Sequence, residues 1–266
     1  MEVKKMAEYI TLNVSGTTLT VDRKFERKIE KIIAGLEKAK EIIGEVADEI
    51  YVFRKRDFRK AARRFAKFAL SSPSVVATTE FKTSKRRLKT RTFVNASSKL
   101  VRRNFKGVLA HEFAHIKQYK AGQVIPLPRF KRSLPAEAKQ FAMIFLNELE
   151  EILADSLLPV KTRNKKNREI IKMLMEKDEP AHPLFLLALK VTTKLSAKEK
   201  AALEEMIQKS AKSLKNVPFP FNPVERLYSK IFEQKEIKQS DIPLIENVLN
   251  LLIERLYGVK NACRFN

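Results

Sequence analysis

The chain has 266 residues, of which 44% are apolar, so it can bury a core as one large domain or two smaller ones. Lys and Arg number 54 against 31 Asp and Glu, which gives a formal net charge of +23. This composition excludes a disordered chain, and the single cysteine excludes an intramolecular disulfide framework or a Cys-rich zinc site.

The excess of positive charge predicts attraction to polyanions such as nucleic acid, ribosomes or acidic proteins. The alternative is an organism whose proteins are generally basic. The 32% charged fraction, together with the absence of Trp, is thermophile-like. The N-terminus lacks the apolar core of a signal peptide, and the longest apolar run, residues 183–191, is too short to span a bilayer. We therefore expect a cytoplasmic protein.

The N-terminal part alternates between predicted strands and helices. Residues 9–22 alternate in polarity around Ser15-Gly16 and predict a β-hairpin. Asp22 is then expected to cap a helix that runs to about Val46. The next expected elements are a strand over EIYVF, a helix over RDFRKAARRFAKFAL, and strands over SVVATTEF and LKTRTFVNA joined by the basic KTSKRR.

The rest of the chain predicts helices. One runs from near Ser98 to about Lys120, and the next runs from residues 133–135 to about Leu158. The segment KTRNKKNR after it is expected to be a polar, basic linker or surface turn.

Helix boundaries are also readable beyond this segment. Ser196 with Glu199 forms a capping box, Asn222 precedes a Pro suited to the first helical position, and Gly258 is a C-cap. The expected organisation is an α+β region to about residue 160, followed by an all-helical C-terminal region, 161–266.

Two of the three histidines, His111 and His115, lie four residues apart in the segment GVLAHEFAHIKQY. On an α-helix this spacing places both side chains on one face, where two imidazoles can hold one Zn²⁺. Glu112 is offset by about 100° from His111, so it can reach metal-bound water without being a ligand. The motif therefore predicts a zinc-hydrolase centre with Glu112 as general base.

A hydrolytic zinc normally takes a third protein ligand. No His follows His115 closely, and His182 lies in a loop-like segment where a surface or capping role is expected. In FLNELEEILADSLLP, three carboxylates lie beside apolar positions, which favours Glu151 as third ligand and leaves Glu148 as the alternative. Asp155 could accept the second ring N–H of a zinc-bound His, or form an ion pair with a nearby Arg.

HEFAH followed by EILAD resembles the gluzincin pattern, His-Glu-x-x-His on one helix and Glu-x-x-x-Asp on a later one. The Ala before the Asp and the LLP after it are typical of the smaller minigluzincins. The resemblance covers roughly residues 75–159. Peptide deformylases need an upstream Cys ligand and Spartan-like proteases a His soon after the helix, and the sequence has neither.

The resemblance implies a zincin-like catalytic domain within residues 1–160, in which a small sheet packs on the HExxH helix. It implies an active-site helix that follows an edge strand on which substrate pairs, and RTFVNA lies in that position. The implied zinc ligands are His111, His115 and Glu151, with Glu112 as general base and Asp155 behind the ligands.

The implied function is that of a zinc metallopeptidase, in which activated water attacks a peptide carbonyl and Glu112 returns the proton to the leaving amine. Tyr119, His182 and Tyr228 are candidates for stabilising the oxyanion. A second hypothesis is a nucleic-acid- or ribosome-binding protein on a zincin fold with little or no peptidase activity. A third is self-inhibition, with a terminal segment lying over the cleft.

Three basic tracts, residues 54–67, 82–106 and 161–168, carry much of the positive charge. Phenylalanines are interleaved with the second tract, where they would stack on single-stranded nucleic acid or else belong to the core. These are Phe81, Phe93 and Phe105. The candidate polyanion-binding residues are Arg59, Arg63, Arg64, Lys85, Arg86, Arg87, Arg102 and Arg103.

Overall fold

The computed structural model describes residues 8–62, 76–84, 87–177, 181–214 and 219–265. Over these residues the chain has one mixed sheet and many helices, which confirms the predicted α+β class. Contacts divide the chain into two compact units, Met1–Lys117 and Gln118–Asn266. The expected domain boundary near residue 160 stays a prediction.

The first unit is built around a sheet whose described strands follow the order β1-β2-β3-β5-β4. The outer pairs β1–β2 and β5–β4 are antiparallel, and β2–β3 and β3–β5 are parallel. The elements are β1 (Tyr9–Val14), β2 (Thr17–Asp22), α1 (Ile29–Ile43), β3 (Glu49–Phe53), α2 (Lys55–Ala62), β4 (Ala77–Ser84), β5 (Arg87–Asn95) and α3 (Lys99–Lys120).

The N-terminal hairpin is confirmed. Its two turn residues, Ser15 and Gly16, have φ of 52° and 83°, the positive values that a tight type I′ turn requires. Asp22 does act as an N-cap, accepting from the Lys24 amide at 2.9 Å, but it caps a 3-10 helix, Arg23–Lys28. The single helix expected to Val46 is therefore corrected to a 3-10 turn followed by α1.

The strand before the HExxH helix is β5, and it lies inside the sheet between β3 and β4. The described edge strand on that side is β4, so the placement of the edge strand implied by the resemblance is wrong. The reason is that β5 pairs with β3 on one side and with the antiparallel β4 on the other, which leaves β4 outermost.

Helix α3 contains a kink before the HEFAH segment. Asn104 has non-helical φ and ψ of −143° and 49°, and its side chain folds over Gly107. A Cβ at Gly107 would lie 2.5 Å from Asn104 Nδ2, so the kink requires glycine there. The HEFAH segment lies on this helix, as predicted, and the kink that precedes it was not expected.

The second unit is mainly helical around one apolar core that includes Phe145, Leu149, Tyr228 and Leu252. Its elements are β6 (Arg129–Phe130), α4 (Ala136–Ser156), α5 (Val160–Lys177), α6 (Pro183–Thr192), α7 (Ala197–Leu214), α8 (Phe221–Gln234), a 3-10 helix (Gln239–Asp241), α9 (Ile242–Tyr257) and β7 (Cys263–Arg264). None of the described helices has the length and apolar character needed to cross a membrane.

Three expectations for this unit are corrected. KTRNKKNR is not a linker but the first half of α5, where Lys166 and Asn167 are buried and donate hydrogen bonds to Asp155. The C-terminal region is not all-helical, since β7 pairs with β6 and Asn250 bonds the Cys263 backbone. Helix α8 begins at Phe221 after Pro220, so Asn222 is not its cap.

The other two helix boundaries are confirmed. The Ser196 amide donates to Glu199 Oε2 at 2.7 Å, and the Glu199 amide donates back to Ser196 Oγ at 3.3 Å. Gly258 ends α9 with φ of 71°.

Candidate metal centre

His111 and His115 lie on the same face of α3. Their rings meet edge to face, with centroids 4.9 Å apart and an interplanar angle of 86°. His111 is buried and His115 is partly exposed. The arrangement follows from the four-residue spacing, and it leaves ring nitrogens of both residues close enough to share one ion.

Glu112 is buried, and its carboxylate is hydrogen-bonded to the sheet. Thr79 Oγ1 on β4 donates to Glu112 Oε2 at 2.9 Å. Thr79 Oγ1 also lies 3.0 Å from Thr92 Oγ1 on β5. Sequence reasoning missed both threonines, because neither belongs to a motif and the contact spans 33 residues.

The three candidate site carboxylates on α4, Glu148, Glu151 and Asp155, differ in burial. Glu148 and Asp155 are buried, whereas Glu151 is partly exposed. Burial, followed by the negative charges of Glu151 and Asp155, raises the pKa of Glu148 well above its usual value. Burial therefore opposes the ionisation of Glu148 in the metal-free protein.

A set of potential metal ligands is present on α3 and α4. One ligand atom each from His111, His115 and Glu151 lies within 4.8 Å of the other two, so this group could hold a metal ion. Two imidazoles and one carboxylate form a donor set that catalytic zinc uses when water fills its fourth position. The residues therefore fit zinc, and Glu151 rather than Glu148 belongs to the group.

Asp155 is held by two side chains from α5. Lys166 Nζ donates to Asp155 Oδ1 at 2.5 Å, and Asn167 Nδ2 donates to Oδ2 at 2.9 Å. Asn167 Nδ2 also lies 3.0 Å from Thr192 Oγ1, which in turn donates to the Ala188 carbonyl. Asp155 therefore forms an ion pair with Lys166, while the alternative of a pair with an Arg stays a prediction.

His182 has the capping role expected for it. It precedes α6, and its Nδ1 accepts from the Leu184 amide at 3.3 Å. Burial lowers the pKa of His182 to about 4, so the ring is neutral near pH 7. A neutral ring is the form that can accept this hydrogen bond.

The two tyrosine candidates differ in environment. Tyr228 is fully buried and stacks on Phe145, with centroids 6.1 Å apart. Burial and the nearby Glu148 raise the pKa of Tyr228 well above its usual value. Tyr119 lies near the end of α3 and is 37% exposed. An oxyanion role for Tyr119, His182 or Tyr228 stays a prediction.

Three of the candidate polyanion-binding residues, Arg59, Arg102 and Arg103, are exposed. Arg59 lies on α2, and the other two lie near the start of α3. Arg87 begins β5, but its side chain is not among those described. Outside the described residues lie Arg63, Arg64, Lys85 and Arg86.

The interleaved phenylalanines have core contacts. Phe93 is buried and packs with Phe58 and with Tyr51, whose ring stacks on it at 5.0 Å. Phe105 lies against Gly35 of α1. Core packing is therefore the better interpretation for Phe93 and Phe105, while Phe81 is partly buried on β4.

No family model matches the chain, and no curated protein matches it. Among solved structures, the chain is matched to the crystal structure of a candidate zinc-binding metallo-peptidase from Bacteroides caccae. The match has 15% identity and a TM-score of 0.28, and it covers 98% of this chain and 87% of the other. A TM-score this low supports no inference, so the candidate metal centre rests on the residues of this chain alone.

Proposed function

We propose that this protein is a gluzincin-type zinc metallopeptidase with a zincin-like catalytic region. The observation that carries the proposal is the group formed by His111, His115 and Glu151, whose ligand atoms lie within 4.8 Å of one another. Glu112, one residue from the first of these histidines, supplies the carboxylate that peptide hydrolysis needs.

When bound, zinc would lower the pKa of a bound water towards neutrality and polarise the peptide carbonyl. Glu112 accepts one proton as the water oxygen bonds to the carbonyl carbon. It gives that proton to the departing nitrogen as the C–N bond breaks.

We assign Asp155 to the second ring N–H of a zinc-bound His. Such a bond fixes the orientation of the ring and raises the basicity of the ligand nitrogen. Lys166 and Asn167 support this assignment, because their hydrogen bonds hold the Asp155 carboxylate in one orientation.

The test combines metal analysis with cleavage. Purified protein should contain one zinc per chain and cut labelled casein or members of a peptide library, and a chelator should abolish cleavage until zinc is restored. Glu112→Gln should keep zinc and lose roughly 100- to 10,000-fold in rate. Glu137→Gln, which removes an exposed carboxylate from the start of α4, is the matched control. Full activity of Glu112→Gln would contradict the base assignment.

A second candidate function is binding to a polyanion, with or without peptidase activity. One observation favours it. Helices α2 and α3 both begin with basic residues, and they start next to each other at the carboxyl ends of the parallel strands β3 and β5. The Ala96 amide donates to the Phe53 carbonyl at 2.9 Å, and the Lys55 amide lies 3.4 Å from Ser97 Oγ. These contacts bring the exposed cations of α2 close to those of α3, where phosphates would meet them.

A further inference from the structure

The buried face of the sheet contains a polar pair in an apolar row. Thr92 and Thr79 are direct partners in the β5–β4 ladder, and Ile50 and Leu19 continue the same row across β3 and β2. Leu19, Ile50 and Thr92 have no exposed surface. Burying a hydroxyl in such a row destabilises the folded state unless the hydroxyl has a hydrogen-bond partner.

The partner of this pair is the candidate general base. Thr79 Oγ1 donates to Glu112 Oε2 at 2.9 Å. An ionised carboxylate only accepts hydrogen bonds, so the Thr79 proton points to Glu112. In the 3.0 Å hydrogen bond between the two hydroxyls, Thr92 must then be the donor and Thr79 the acceptor. The hydrogen bonds therefore run in one direction, from Thr92 through Thr79 to Glu112.

We propose that Thr79 is a positioning residue for the general base, and that Thr92 orients its hydroxyl. The bond at Oε2 fixes the rotation of the Glu112 carboxylate, which directs Oε1 to the proton of the attacking water. The inference rests on the proposed peptidase function and deepens it. Thr79 acts through Glu112 and does not itself touch the reacting atoms.

The effect is expected in kcat rather than in KM. A misoriented base weakens proton transfer in the transition state, whereas substrate binding does not depend on the rotation of Glu112. Thr79→Val keeps the shape of the side chain and removes the hydroxyl. It should lower kcat roughly tenfold or more, a part of the 100- to 10,000-fold that a general base contributes.

The conservative variant separates positioning from packing. Thr79→Ser restores the hydroxyl but removes a methyl group, so it should keep kcat within about threefold of wild type. A purely structural role predicts the reverse, with Thr79→Val close to wild type and Thr79→Ser impaired. Zinc content should be equal in all three proteins, and kcat and KM are measured on the best-cut peptide from the library.

A second readout needs neither zinc nor turnover. The change in the unfolding equilibrium caused by Thr79→Val is measured by urea denaturation of metal-free protein. It is measured once in the wild-type background and once in the Glu112→Leu background. With Glu112 present, loss of the hydroxyl leaves a buried carboxylate with one hydrogen bond fewer. The unfolding equilibrium should then shift by roughly tenfold more than in the Glu112→Leu background.

The outcomes distinguish this inference from the proposed function. Absence of cleavage by zinc-loaded wild-type protein would overturn the peptidase proposal. Cleavage by wild type and by Thr79→Val at the same kcat would overturn the positioning role alone. Equal shifts in the two unfolding backgrounds would also overturn it, because the Thr79–Glu112 bond would then contribute nothing.

Discussion

Lys166 on α5 donates a hydrogen bond to the carboxylate of Asp155 on α4, and both side chains are buried. Removing one partner of a buried ion pair leaves an uncompensated charge, which costs about 3–5 kcal/mol. We therefore expect Lys166→Met to lower the free energy of unfolding by about 3 kcal/mol in urea denaturation. Lys165→Met, at the exposed neighbouring position, is the control and should change it by less than about 0.5 kcal/mol.

The origin of that loss can be checked in a double variant. With Asp155→Asn, no charge is left behind when Lys166 is replaced, so Lys166→Met should cost much less in that background. An equal cost in both backgrounds would mean that Lys166 acts through packing of its alkyl chain.

The choice between the two candidate third ligands predicts different zinc affinities. Glu151→Ala removes a ligand oxygen of the candidate site. Substituting a residue that only hydrogen-bonds to a ligand lowers metal affinity by roughly 10- to 100-fold, so Glu151→Ala should weaken zinc binding by more than that. Glu148→Gln should bind zinc nearly as wild type does, because the candidate ligand group contains Glu151 and not Glu148. Competition with a chromophoric chelator measures both. Unchanged zinc binding in Glu151→Ala would move the assignment to Glu148.

His182 should make stability dependent on pH. Its pKa is 6.5 in the unfolded chain and about 4 in the folded one, so the unfolded state binds the extra proton between these values. The contribution is fully present above pH 6.5 and is lost as the pH falls towards 4. A shift of this size corresponds to about 3 kcal/mol. His182→Asn keeps a capping oxygen without titrating, and its stability should fall less between pH 7 and pH 4.5. Parallel losses in the two proteins would contradict this role.

Gly35 is expected to be intolerant of alanine. In the interior of a helix such as α1, Gly→Ala normally stabilises by about 1 kcal/mol. A Cβ here would lie 2.7 Å from Cδ1 of Phe105, so the ring must move. Gly35→Ala should instead destabilise by about 1–3 kcal/mol. In a Phe105→Ala background the substitution should become neutral or stabilising, and thermal unfolding of the four proteins would show whether it does.

Features set by neighbouring residues were predictable from sequence. The Ser15-Gly16 turn and the shared face of His111 and His115 depend only on backbone geometry within a few residues. Both appear in the structure as the local pattern requires.

Features set by distant partners were not predictable. The first half of α5 has few apolar residues, and Lys166 and Asn167 are buried there because Asp155, on another helix, accepts their hydrogen bonds. The role proposed for Thr79 likewise depends on its hydrogen bond to Glu112, 33 residues away. Strand order was not predictable for the same reason, because which strand lies at the edge depends on which strands pair with β5.

Polyanion binding, if the basic helix starts mediate it, should depend steeply on salt. Each phosphate contact contributes about −0.9 to the slope of log K against log salt for duplex DNA. Arg59→Gln combined with Arg102→Gln should therefore weaken binding of a labelled 20-base-pair duplex and reduce the slope by about 2 in fluorescence anisotropy. Lys198→Gln with Lys212→Gln removes the same charge from exposed positions on α7 and should leave the slope nearly unchanged. Binding should survive addition of a chelator, because Arg59 and Arg102 are not among the candidate zinc ligands. Equal slopes for the two double variants would show that net charge alone attracts the duplex.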